Sequence, residues 1–398
     1  MKKIFLPLTA ALLVAGAASC NKNALAPSAP EMPAAHQGAL TVNIGIPAQE
    51  TKVEADAAHV KDFQINSVQV VVFDHSAGLN DGSDLLETDY YFAPATPASN
   101  SVSVTLNTKT GAKIVYVIVN RARQDYVAHC SNLSQFESLL VDLSENSATN
   151  LVMVGKGAIT VEAYDRNKNP NQTAQALSVW VRRQAAMVKL SGVTFDFSNS
   201  SLHGATAQIT GIYLKNAVGV CRMALDGNTT SATAQSGVHF LPLSDSDHGT
   251  GYNWYSKYTY DVSGSPDVLS DYPVVIDGPT DGTAWEVNRC YFTYPNKTAV
   301  SADSHVQTTP WVPRLTRLTL EVRIMLDDAP RYLAETTYYT FDLPVLESNK
   351  VYDIQNITIT QLGKADDDTD ATDYAGKITP AITVAPWDSD VINLNYEF

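Results

Sequence analysis

Ser67 to Phe73 reads SVQVVVF and Lys113 to Val119 reads KIVYVIV. Both stretches are short and rich in β-branched and aromatic residues, so both are expected as strands. Working outward, Ser101 to Leu106 (SVSVTL) and Leu177 to Val181 (LSVWV) have the same character. Polar turn stretches separate them, SAGLNDGSD at 76–84 and DRNKNPNQT at 165–173, as between the strands of a sandwich. A second strand-rich block follows, with AMVKLSGVTFDF at 186–197, Gln208 to Leu214, LTRLTLEVRI at 315–324, TTYYTFDL at 336–343 and VYDIQNITIT at 351–360. Two successive β-rich blocks that join near Leu190 predict an all-β chain of two β-sandwich domains in tandem, 38–190 and 191–398. One short helix is expected in the first. Ser134 with Glu137 three residues on makes a capping-box signal, and Phe136, Leu139, Leu140 and Leu143 recur at helical spacing, as in a helix that covers one sheet. No short repeat appears, which argues against a solenoid or propeller.

The first 37 residues have a different job. Lys2 and Lys3 give a positive start, Ile4 to Ala15 form an apolar run, and the small residues Ala17, Ala18 and Ser19 precede Cys20. That order is how a secretory signal reads. The apolar run falls short of the roughly 20 residues a permanent membrane helix needs. A cysteine directly after small residues looks like a lipobox, so 1–19 are expected to be removed and Cys20 acylated. Asn21 to Gln37, rich in Ala, Pro, Asn and Ser, then reads as a flexible tether on a lipid anchor.

Composition narrows the function further. The net charge is −15 with basic residues scattered, which disfavours a phosphate backbone, so no nucleic-acid partner is expected. Cys130, Cys221 and Cys290 remain once Cys20 is spent; their wide spacing shows no metal or redox motif, and they are expected as buried thiols. The eight histidines stand apart, with no HExxH pair, nucleophile elbow, P-loop or dinucleotide fingerprint, so no catalytic residue, metal or cofactor is expected. Three stretches carry weaker alternatives. Asp366, Asp367, Asp368, Asp370 and Asp373 read as a solvated loop, with calcium as the alternative, though the EF-hand spacing is missing. Asp245 to His248 (DSDH) is weaker still. Tyr252, Trp254, Tyr255, Tyr258 and Tyr260 read as packing aromatics, with a sugar-stacking platform as the alternative.

The two terminal strands say most about function. Leu40, Val42, Ile44 and Ile46 alternate with Thr41, Asn43 and Gly45, and Ile392, Leu394, Tyr396 and Phe398 alternate with Asn393, Asn395 and Glu397. Each offers four apolar side chains on one face. Burying four such side chains contributes about 6–12 kcal/mol, on the scale of a whole domain's net stability. Each strand therefore completes its own sheet or a neighbour's, the latter by donor-strand complementation. Pattern alone leaves both open.

Several segments together resemble the fimbrillin family, the lipoprotein pilins of type V pili. They are AASC at 17–20, VQVVVFD at 68–74, GAKIVYVIVN at 111–120, LVMVG at 151–155, VWVRRQAAMVKLSGV at 179–193, YFTYPNK at 291–297, TRLTLEV at 316–322, NKVYDIQNITITQLG at 349–363 and ITVAPW at 382–387. The resemblance implies two transthyretin-like β-sandwich domains. It also implies a lipidated precursor at the outer membrane, proteolytic removal of the N-terminal strand (Leu40 to Ile46 here), and entry of the adjoining subunit's C-terminal strand (Val391 to Phe398 here). Other pilin subunits, the outer membrane through the lipid anchor, and a host or bacterial surface receptor are the partners it implies. Family members are cut after an arginine that follows the first strand, whereas the first arginine here is Arg121. Between Pro47 and Lys61 only Lys52 and Lys61 are basic, so a different protease is required, or the subunit keeps its strand and anchors the fibre. A surface glycan-binding lipoprotein that never polymerises is the rival reading.

Overall fold

The computed structural model describes residues 37–46, 64–75, 78, 82–98, 100–146, 150–163, 174–215, 217–224, 239–240, 259–261, 269–270, 276–296, 315–326, 335–365 and 383–386. The chain begins with strands β1 (Gln37–Gly45), β2 (Val68–Asp74), β3 (Leu85–Phe92), β4 (Ser101–Lys109) and β5 (Gly111–Val119). Two short helices follow, α1 (Tyr126–His129) and α2 (Leu133–Glu137), and then β6 (Leu140–Asp142), β7 (Met153–Val161), β8 (Gln175–Trp180) and β9 (Arg182–Arg183). The second block contains β10 (Ala186–Asp196), β11 (Ala205–Lys215), β12 (Val218–Arg222), β13 (His239–Phe240), β14 (Thr259–Asp261), β15 (Leu269–Ser270) and β16 (Ile276–Pro279). It continues with β17 (Asp281–Thr293), β18 (Arg317–Leu326), β19 (Glu335–Asp342), β20 (Lys350–Ile354), β21 (Ile357–Ile359) and β22 (Thr383–Pro386). The architecture is all-β.

In the first block a sheet ordered β4-β1-β8 faces one ordered β3-β2-β5-β7-β9. Alternation along β2 and β5 explains why these strands read as unbroken apolar runs. Val68, Val70 and Val72, with Val115, Val117 and Val119, face the small sheet and join its core. Val71 and Phe73, with Ile114, Tyr116 and Ile118, face the opposite way and join a second core. A strand covered on both faces has no polar face to show. The second core is capped by the helices, where Phe136 is fully buried with its ring centroid 5.3 Å from Phe73, 5.0 Å from Tyr116 and 5.1 Å from Tyr126. In the second block the long strand β10 carries β17 on one side and β20 and β21 on the other. A further sheet, β16-β11-β18-β19, contributes Ile209, Leu320 and Phe341 to the same core.

The helix expected from Ser134 onward is shorter than its periodicity implied, and among the described residues there are two short α-helices rather than one. The cap is Asn132, whose side-chain oxygen accepts from the Gln135 amide at 2.9 Å. Glu137 does not reach back to complete a capping box; it takes the Tyr116 hydroxyl and lies 3.1 Å from Lys156 Nζ. After it the chain becomes the strand β6, because β12 offers it a ladder, with Asp142 opposite Val220, Val141 opposite Cys221 and Leu140 opposite Arg222. Leu140 is consequently 43% exposed, while Phe136 and Leu143 are buried.

That ladder ties the two blocks together. The Met223 amide donates to the Leu139 carbonyl at 2.8 Å, and the Gln184 side chain donates to the Met223 carbonyl at 3.2 Å. The Tyr294 hydroxyl donates to the Asp142 carbonyl at 3.1 Å and accepts from Asn146 at 3.0 Å. Cys130, Cys221 and Cys290 are all buried, as expected, and burial pushes the Cys130 and Cys221 thiols above their ordinary pKa.

One polar cluster fastens the two sheets of the first block at their edge. Lys113, with a fully buried side chain, places Nζ 2.8 Å from Glu87 Oε2 and 3.1 Å from Asp74 Oδ1. The other Glu87 oxygen accepts from the Thr108 hydroxyl at 2.6 Å and the Lys109 amide at 2.5 Å, so β3 is bonded to β4 across the sandwich. Burial by itself would raise the Glu87 carboxyl, but the Lys109 amide, Lys113 and Thr108 hold it below its ordinary value of 4.5. A depressed folded-state pKa stabilises above the unfolded value and loses that contribution as pH falls through the folded one. Glu87→Gln is therefore expected to lower the melting temperature near neutral pH. The gap to the native protein should close as melts are repeated down to about pH 3.

Candidate functional site

The strand that sequence alone singles out at the N-terminus is the centre of its sheet. β1 pairs antiparallel with β4 over nine residues, Gln37 opposite Lys109 through Gly45 opposite Ser101. On its other side it pairs parallel with β8, Leu40 opposite Gln175 through Gly45 opposite Trp180. The Ile46 amide continues the first ladder to the Asn100 carbonyl at 2.9 Å, and the Val181 amide closes the second on the Gly45 carbonyl at 3.0 Å.

Beneath β1, Leu40, Val42, Ile44 and Ile46 are all buried, with exposures of 0, 0, 1 and 3%. They pack with Val70, Val72, Val117, Met153 and Val179 in the sandwich core. The strand β8 can lie close over β7 because Gly155 and Gly157 leave room; a Cβ on Gly155 would stand 2.7 Å from Val179 Cγ1. Above β1 the face is polar. Thr41 Oγ1 is 2.9 Å from Thr105 Oγ1, and the Ser103 hydroxyl donates to Asn43 Oδ1 at 2.7 Å.

The end of the strand carries a feature the sequence reading passed over. Trp180 is 62% exposed, and its ring occupies the space over Gly45, where a Cβ would meet Cζ3 at 2.6 Å. The signal was present in VWV at 179–181: with Val179 and Val181 inward, alternation puts Trp180 on the outside.

Of the other residues the sequence nominated, Cys20, Lys52, Lys61, Ile392, Leu394, Tyr396 and Phe398 lie outside the described residues. So do Asp366 to Asp373, Asp245 to His248, and Tyr252, Trp254, Tyr255 and Tyr258. Tyr260 belongs to β14, whose backbone pairs with β17. Among the described residues there is no group of three or more metal-ligating side chains, and no helix is long and apolar enough to cross a membrane.

A sandwich whose N-terminal strand fills the middle of a sheet is the class of protein these residues define. Residues 39–180, from near the start of that strand to the tryptophan that covers it, match the family model of the major fimbrial subunit protein (FimA). The expected resemblance to the fimbrillins is thereby shown over these residues. No curated protein matches the sequence. Among solved structures, a candidate cell adhesion protein of Parabacteroides distasonis ATCC 8503 is similar at a TM-score of 0.52 and 15% identity, over 88% of this chain and 96% of that one. A candidate cell adhesion protein of Bacteroides eggerthii DSM 20697 gives a TM-score of 0.52 at 16% identity, over 88% and 96%. A fimbrilin of Porphyromonas gingivalis W83 gives 0.48 at 15%, over 87% and 95%. At these identities the first two likenesses are of fold.

The burial pattern predicts an asymmetric response to truncation along β1. Leu40→Ala is expected to destabilise by about 2–5 kcal/mol. Thr41→Ala, which loses one exposed hydroxyl contact, should cost about 1 kcal/mol or less. Urea unfolding midpoints of the two variants check the contrast.

Proposed function

We propose that this chain is a structural pilus subunit that polymerises by donor-strand exchange. It is exported as a lipoprotein acylated at Cys20, loses its first strand to a surface protease, and accepts the C-terminal strand of another copy in the slot that opens. Its role is structural and adhesive rather than catalytic, and it works as two domains, 38–190 and 191–398. One observation carries the reading: β1, the first strand among the described residues, is a central strand with a ladder on each side. Loss of a strand at an edge would only move the exposed edge in by one strand. Loss of β1 leaves two unpaired edges, β4 and β8, above an apolar floor. That vacancy needs an occupant with apolar side chains at alternate positions. Val391 to Phe398 has that pattern.

The acidic, water-exposed composition and the family of residues 39–180 agree with an extracellular fibre. Processing falls between Pro47 and Lys61, after the last buried residue Ile46, with Lys52 and Lys61 as its basic residues. The lack of an arginine before Arg121 favours one variant of this reading, in which the subunit keeps β1 and serves as the lipid-held base of the fibre.

Removing Val391 to Phe398 tests the proposal. Cells producing the shortened chain are expected to display lipidated monomers, with high-mass assemblies missing from sheared surface material on denaturation-resistant gels. Assemblies of normal length would show that the last strand is not the donor.

A further inference from the structure

The outer face of the sheet β4-β1-β8 is a grid of three rungs. By register, Ser101, Gly45 and Trp180 form the first, Ser103, Asn43 and Ser178 the second, and Thr105, Thr41 and Ala176 the third. All nine residues are uncharged, in a chain whose net charge is −15. Strand spacing and rise make the grid about 13 Å long and about 10 Å wide.

One exposed tryptophan by itself says little about binding. Trp180, however, is seated as well as exposed. Its Cζ3, Cε3 and Cη2 atoms stand 2.6, 3.0 and 3.4 Å from the point that a Gly45 Cβ would occupy, so the six-membered ring rests on bare backbone. The residue is still 62% exposed. Beside it, Asn43 is oriented by the Ser103 hydroxyl, which donates to its Oδ1 at 2.7 Å. The Asn43 NH2 group has no hydrogen-bond partner among the described residues. Ser101 and Ser178 add exposed hydroxyls on the same two rungs.

We propose that this grid binds a neutral, pyranose-containing glycan. Trp180 stacks against the C–H face of one sugar ring, Asn43 and Ser178 bond its hydroxyls, and Gly45 positions the indole. The site is read with β1 in place, and it stands or falls separately from strand exchange.

The ligand class follows from the chemistry of the grid. A pyranose has an apolar C–H face and a rim of hydroxyls that both donate and accept. The face of an aromatic ring is electron-rich and suits such C–H groups. Neutral hydroxyl and carboxamide groups match the rim without the cost of desolvating a charge. A rigid tryptophan with Ser, Asn and Gly around it supplies contact area at low entropy cost together with adaptable hydrogen bonding. A nucleic acid is disfavoured, because its phosphates meet no cation on the grid and a strongly acidic chain around it. A second protein is disfavoured by size. The footprint of about 130 Å² lies far below the roughly 800 Å² that each partner buries in a stable complex.

Saturation-transfer NMR and affinity titration of the full chain test this, with cellotetraose, chitotetraose and maltotetraose as probes. At least one of the three is expected to bind, with transfer concentrated on the C–H protons of one ring. Trp180→Ala should weaken that binding about tenfold or more, and Trp180→Phe should recover part of it. Asn43→Ala should cost about two- to tenfold, as for one lost hydrogen bond. Gly45→Ala keeps the indole but moves it off its seat, and is expected to weaken binding with the ring still present. Melting temperatures of the four variants separate lost binding from lost fold. No transfer to any of the three probes, or binding that Trp180→Ala leaves unchanged in a folded chain, would overturn the proposal. Binding confined to a sialylated oligosaccharide, through the exposed Arg182 beyond the grid, would overturn the neutral class. Self-association of the full chain that Trp180→Ala abolishes would show instead that this face meets a second copy.

Discussion

A strand that is paired on both sides and apolar beneath cannot leave a sheet without consequence. Two rows of backbone groups lose their partners, and the floor they span meets water. In this chain that strand is the first among the described residues, and much of the first block is arranged around it. The nine-residue ladder to β4, the shorter parallel ladder to β8 and the close seat of β8 over Gly155 and Gly157 all define a slot of fixed width. The lower sheet is held independently. β2 lies between β3 and β5, β5 carries β7, and the outer face of the sheet is packed beneath the helices. The Glu87 cluster then bonds β3 to the β4 rim. A slot whose walls stand without its occupant is the physical requirement for exchanging that occupant.

The second block is joined to the first by more than a linker. β6 and β12 share a backbone ladder, and Tyr294, Asn146, Gln184 and Met223 add hydrogen bonds across the same seam. The apolar core on the outer face of the first block runs continuously into the second, from Phe73 and Phe136 to Leu214 and Tyr294. Under the proposed exchange, in which one block receives a strand and the other donates one, load would pass through this seam. Backbone pairing and a shared core resist that load better than side-chain contacts on a flexible tether would.

How much of this was legible depends on the range of the interaction that decides each feature. The strands of β1, β2, β5 and β10 were plain because alternation and β-branched content are local properties. The unbroken run in β2 marked a strand, but the sequence did not say that both faces are covered, since the helices and the second block that cover one face come from far along the chain. The helix beginning near Ser134 was over-extended for the same reason. Its periodicity is real through Phe136, but the ladder partner that turns 140–142 into a strand sits some eighty residues later in β12. The burial of Leu40, Val42, Ile44 and Ile46 was expected from their spacing; that β1 is central, and parallel to β8, was not, because neighbour identity in a sheet is a non-local fact. Trp180 was within reach of the alternation rule, but its seat on Gly45 needed the parallel pairing to be known first.

The central claim is that β1 is an interim occupant of its own sheet. The N-terminal sequence and intact mass of the protein in high-mass assemblies sheared from the cell surface test it most directly. The account predicts a chain that starts between Pro47 and Lys61, without Leu40 to Ile46 and without lipid. Assemblies built from chains that still begin at an acylated Cys20 would contradict it, because the slot would then be filled from within and could receive no neighbour.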